Sequence, residues 1–148
     1  MVKKVVFAAF LFFYFLPAGY GQVQADVSNK KLQVFVYYFY GNFRCASCRK
    51  IEAFTKEALN ASFKEELKDG MLVFKVVNVD EKDNEHFLGD YQLYSKSVVL
   101  SLMKDGKEMK YKNLDEIWNY LNDKRKFLGY IKNETKVFLA ECVKGKTE

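Results

Sequence analysis

The chain has 148 residues, a length that suggests one domain, with 49% hydrophobic and 29% charged side chains. Its formal charge of +5 falls to +3 without the N-terminal Lys3 and Lys4, leaving 22 basic against 19 acidic residues. So mild an excess argues against nucleic acid as a partner, and three cysteines are too few for a disulfide scaffold.

Lys3 and Lys4 precede an unbroken apolar run, Val5 to Leu16, which Pro17, Gly19 and Gly21 then interrupt. The run is shorter than the about 20 apolar residues of a membrane-spanning helix. A basic start, a short apolar core and small residues predict a secretory signal peptide over residues 1–25. Val23-Gln24-Ala25 fits the cleavage rule, with Gly19-Tyr20-Gly21 as a second candidate. An uncleaved N-terminal membrane anchor is the alternative. Either way residues 26–148 are expected outside the cytoplasm, in the periplasm or another extracytoplasmic space.

Leu32 to Tyr40 is β-branched and aromatic throughout and reads as a strand buried on both faces. Gly41 to Arg44 breaks it. Ile51, Phe54, Ala58, Leu59, Phe63 and Leu67 then recur at helical spacing. Gly70 is expected to end that helix in the left-handed conformation. Met71 to Val79 predicts a second buried strand, and Asp83 to Tyr94 is weakly helical. Ser97 to Met103 predicts a third strand. Lys104-Asp105-Gly106-Lys107 is a hairpin turn signal, with Glu108 to Lys112 as the returning strand. Asn113 and Glu116 have the spacing of a capping box for a last, long helix, whose broken apolar stripe runs from Ile117 to Cys142. The order β-α-β-α-β-β-α predicts a parallel first pair with a right-handed crossover and an antiparallel edge. It amounts to an α/β three-layer sandwich with a mixed sheet of about four strands, which a protein with no redox role could share.

Cys45 and Cys48 stand where the first strand turns into the first helix. A thiolate there meets unsatisfied N–H groups and the positive end of the helix dipole. Arg44 and Arg49, with Lys50, add cations, so Cys45 is expected to ionise below its free value. Cys45 is the candidate nucleophile and Cys48 the resolving thiol of a redox-active pair, with no other cofactor. A purely structural disulfide closes too small a loop to gain much chain entropy. An intramolecular metal site lacks ligands, with His86 the only histidine and Cys142 far along the chain. A shared or transient site for a soft metal or metalloid stays open.

These residues carry a resemblance. The segments VFVYYFYGNFRCASCRKIEAF, FKVVNVDE and VVLSLMKDGKE are similar in order and spacing to the core of the thioredoxin-like superfamily, over about Leu32 to Tyr120. YYFYGNFRCxxCRKIE more narrowly resembles a group of exported bacterial thioredoxin-like proteins labelled nitrophenyl-compound nitroreductase subunit, ArsF type. The resemblance implies a thiol–disulfide oxidoreductase acting on protein thiols and disulfides, with a membrane electron donor or a partner subunit of a larger redox complex as further candidates. It also exposes departures. Arg44 replaces the usual tryptophan, Phe39 stands at the position of a buried acid, and Val98 stands at that of a cis-proline. A non-proline cis bond costs about 3 kcal/mol, so Ser97–Val98 is expected trans, with Ser97 and Val98 in an altered substrate loop.

Other residues read more plainly. Lys75 is expected to be solvated, His86 on the surface, and Trp118 in core or helix packing. Tyr40 and Phe43 could border the dithiol. Cys142 is expected to be a buried or half-buried small hydrophobe.

Overall fold

The computed structural model describes residues 32–144. The expected signal peptide and its cleavage site therefore lie outside the described residues. No helix among the described residues is long and apolar enough to cross a membrane.

A four-stranded sheet runs in the order β2-β1-β3-β4. It comprises β1 (Leu32–Tyr40), β2 (Leu72–Asn78), β3 (Ser97–Lys104) and β4 (Lys107–Asn113). β1 pairs parallel to β2 and antiparallel to β3, and β3 pairs antiparallel to β4. The central strand is the β-branched and aromatic run, as its composition requires. Asp105 and Gly106 both take positive φ, 53° and 78°, which is what a tight two-residue hairpin demands.

Period-two alternation splits β1 between two cores. Val34, Val36 and Tyr38 face the larger one, with Ile51, Ala58 and Leu59 of α1 (Ala46–Ser62) and Phe127, Ile131 and Phe138 of α5 (Lys124–Lys144). Tyr37 and Phe39 face the smaller one, with Val99, Tyr91 and Leu93. Phe87 of α3 (His86–Asp90), which follows a 3-10 turn at Lys82–Asn84, packs against that smaller core. This is a thioredoxin-like α/β fold: a mixed four-stranded sheet between helices, closed by a long C-terminal helix.

Four expectations need correction. The first helical stretch is not continuous. α1 ends at Ser62, Phe63 leaves helical geometry at φ −138°, and α2 (Lys64–Lys68) follows. Phe63 is nonetheless buried, so the kink keeps its ring in the core. Gly70 does adopt a positive φ of 75°, as the C′ residue of α2. Second, β2 is an edge strand with Lys75 and Val76 exposed. Its apolar run reflects cover on parts of each face, not burial of the whole strand. Third, Asn113 ends β4 and caps nothing. The long helix starts at Lys124, and the Asp123 carboxylate accepts the N–H of Lys126 at 3.0 Å, the N3 bond of an N-cap. That bond chiefly holds the Asp123 carboxyl below its usual range. Fourth, Trp118, in the short α4 (Ile117–Tyr120), is 40% exposed, while Ile117 fills the core position.

Candidate functional site

The first strand runs out at Tyr40, and the loop that follows is fastened to the end of β2. The N–H of Val79 donates to the Tyr40 carbonyl at 2.8 Å. The Asp80 carboxylate accepts the N–H of Asn42 at 2.7 Å, and the Asn78 amide donates to Asn42 Oδ1 at 2.9 Å. A Cβ on Gly41 would come within 2.8 Å of an Asp80 carboxylate oxygen, so a larger residue there would displace the carboxylate that accepts the Asn42 N–H.

Cys45 is the N-cap of α1, in extended geometry at φ −87° and ψ 176°. Its Sγ accepts the N–H of Cys48 at 3.4 Å, while its own N–H donates to Cys48 Sγ at 3.2 Å. The two cysteines thus form a capping box in sulfur, the reciprocal arrangement usually made by oxygen side chains. The sulfurs lie 2.9 Å apart, so little motion separates this dithiol from a disulfide at about 2.05 Å. Cys45 is exposed and Cys48 buried. The Cys45 thiol is held below its ordinary value, chiefly by the hydrogen bond from Cys48 Sγ and then by the backbone N–H of Cys48, with the Ser47 N–H adding to them.

Arg44 is placed differently from expectation. Its guanidinium pairs with the Glu52 carboxylate and lies 4.5 Å from the centroid of the Tyr40 ring. The cation is therefore largely answered by an acid two turns along α1, and the leading influences on Cys45 are local sulfur and backbone groups. Arg49 is exposed on the next turn. Sequence reading also missed Tyr38. Fully buried on β1, it donates its hydroxyl proton to the Cys48 carbonyl at 2.8 Å. Burial drives the phenol far above its usual range; Cys48 adds to this and the nearby Arg44 guanidinium opposes it. The alternation of β1 would have placed Tyr38 under α1 with Val34 and Val36, but spacing alone says nothing of the bond to Cys48.

All described peptide bonds are trans, Ser97–Val98 included. Ser97 and Val98 are not loop residues. They begin β3 opposite Phe39 and Tyr38, and both are buried. The accessible part of that connection is Tyr94 to Lys96, where Tyr94 is 94% exposed. With Phe43, 90% exposed, it flanks a cleft of about 200 Å³ floored by Phe39, Val79 and Leu93 and edged by Asp80 and Lys96.

The remaining candidates fall elsewhere. Lys75 is exposed over the Phe35 ring. His86 is exposed and paired with Asp90 at 2.8 Å. Cys142 is buried in α5. Among the described residues no three His, Cys, Asp or Glu side chains converge as metal ligands would.

No family model matches the chain, and no curated protein matches it. Among solved structures it is similar to a thioredoxin of Fasciola hepatica, at 26% identity and a TM-score of 0.38, over 64% of this chain and 83% of that one. Thioredoxin O2 of Arabidopsis thaliana in its oxidised state gives 18% identity and 0.38, over 65% and 76%. A thioredoxin of Plasmodium falciparum gives 16% and 0.37, over 64% and 83%. The fold itself follows from the strand order and pairing, which make this chain a thioredoxin-like α/β protein with a Cys-Ala-Ser-Cys dithiol at its first strand-to-helix junction.

Proposed function

We propose that the protein is an exported thiol–disulfide oxidoreductase in which Cys45 is the nucleophile and Cys48 the resolving thiol. The observation that carries this reading is the asymmetry of the pair: an exposed sulfur capping a helix, with a buried one 2.9 Å behind it. The Cys45 thiolate attacks one sulfur of a substrate disulfide, forming a mixed disulfide and expelling the other sulfur as a thiolate, which takes up a proton. Cys48, on losing its proton, attacks Cys45 Sγ and releases the second substrate thiolate. Two electrons pass from the dithiol to the substrate, and a Cys45–Cys48 disulfide remains. The reverse sequence oxidises a substrate dithiol. Partners on this reading are protein thiols and disulfides, which dock beside Phe43 and Tyr94, and a membrane donor or a larger redox complex that resets the pair.

Single substitutions test it. Cys45→Ser abolishes exchange with a model disulfide. Cys48→Ser retains the first attack and accumulates mixed disulfides on Cys45, seen as adducts on a non-reducing gel. A soft-metal or metalloid carrier would lose binding in both variants alike and trap no adducts, and that result would overturn the oxidoreductase reading. N-terminal sequencing of the exported form is expected to begin near Asp26; a membrane-bound form that retains Met1 would remove the cleaved signal peptide.

A further inference from the structure

The turn that receives the Cys45 sulfur is held by weak bonds. Sulfur is a poor acceptor, and the two contacts that close the capping box measure 3.4 and 3.2 Å. Among the described residues, one hydrogen bond reaches this turn from the sheet, that of the Tyr38 hydroxyl to the Cys48 carbonyl. A carbonyl inside a helix ordinarily serves the N–H four residues on, so this bond is additional to the helix's own. Phenylalanine would fill the same space. A hydroxyl buried there without a partner would be unfavourable, and this one spends its proton on the residue that carries the second thiol.

We propose that Tyr38 is a positioning residue of the dithiol, tying the first turn of α1 to β1, and that the Arg44–Glu52 pair holds it in place. Tyr38 stacks on Tyr40 with ring centroids 6.0 Å apart and planes at 16°. The Arg44 guanidinium lies over the Tyr40 ring, also acts on the Tyr38 hydroxyl, and pairs with Glu52 on the second turn of α1. The chain of contacts runs from α1 through Arg44 to β1 and back to α1 at Cys48. The inference rests on the proposed function only in taking the dithiol as the working site.

The test is the pH dependence of Cys45 alkylation in the reduced, full mature protein. Tyr38→Phe removes one oxygen and leaves every charged group near Cys45 in place: Arg44, Arg49, Lys50 and Glu52 around the helix start, with Asp80 and Lys96 across the neighbouring cleft. Loosening the turn withdraws N–H groups from the thiolate, so the midpoint rises by about 0.3 to 1 pH unit, or roughly 2- to 10-fold less thiolate below it, the effect of one net hydrogen bond. Glu52→Gln removes an acid and leaves the Arg44 cation unanswered, and both effects lower the midpoint by field alone, with or without the Tyr38 hydroxyl. Positioning through Tyr38 makes the Glu52→Gln shift differ between the parent and the Tyr38→Phe background. An unchanged midpoint in Tyr38→Phe, or the same Glu52→Gln shift in both backgrounds, overturns the inference. Wild-type exchange of a model disulfide is scored separately: its failure removes the oxidoreductase reading and leaves any midpoint shift standing.

Discussion

A cysteine rarely caps a helix, because serine, threonine, aspartate and asparagine do so better. At Cys45 the weaker cap has a chemical use, since the same N–H groups that satisfy the helix end also stabilise a thiolate. The depressed ionisation of Cys45, led by the Cys48 thiol, gives a signed expectation. Alkylation should reach half its limiting rate below the free-cysteine value of about 8.5 and slow as pH falls through that lower midpoint. A midpoint at or above the free value would mean that the capping bonds do not act on the sulfur. Cys45 and Cys48 were legible in the sequence from their place between a strand and an amphipathic helix. The role of Arg44 was not, because its partner Glu52 lies two turns further on, and adjacency to a cysteine says nothing about where a long side chain turns.

The long helix α5 packs on α1, and each brings a threonine to the buried side. Thr55 and Thr135 are fully buried, and neither hydroxyl has a hydrogen-bond partner among the described residues. A buried hydroxyl without a partner is unfavourable by about 1–3 kcal/mol in proteins. Thr55→Val and Thr135→Val are therefore each expected to raise stability, by about 1 kcal/mol after some loss of fit, read from the midpoint of urea unfolding. A fall in that midpoint would show that the hydroxyls are satisfied in solution. The elements themselves were largely legible, β1 to the residue. The break at Phe63 was not, because the apolar spacing runs straight across it, and the ring stays buried on either side of the kink. Asn113 and Glu116 had the spacing of a cap, but Asn113 is taken up by pairing with Val99. The carboxylate of Asp123 serves instead.

The sheet divides the molecule unevenly. One face carries the long helices and the larger core, and the other is covered by a short helix and a cluster of aromatic rings around Tyr37, Phe39, Phe87 and Tyr91. This arrangement puts the dithiol at the sheet end where β1 leaves the core, beside the connection that enters β3. The fold class was readable because element order and the Asp-Gly hairpin constrain topology strongly. The exposure of β2 and of Trp118 was not, because burial of an apolar run depends on what packs against it, and strand order within a sheet is a long-range property. The same holds for Ser97 and Val98, whose burial follows from pairing with β1.

The two outer strands differ in how they meet solvent. β4 carries Lys107, Lys110 and Lys112, with Lys110 and Lys112 paired to Glu141 and Glu134 of α5. β2 reads LVFKVVN with Lys75 as its one charge, and Val76 is 41% exposed. Charged side chains on a border strand discourage another chain from adding to it, so β4 is guarded and β2 far less so. Self-association at high concentration is therefore expected to begin at β2. Val76→Lys, a change on the solvent side, should raise the concentration at which light scattering sets in and leave the thermal midpoint close to that of the parent. An unchanged onset would place the vulnerable edge elsewhere. Protection against strand addition therefore falls on one side of the sheet, the β4 side, where charged side chains line the border.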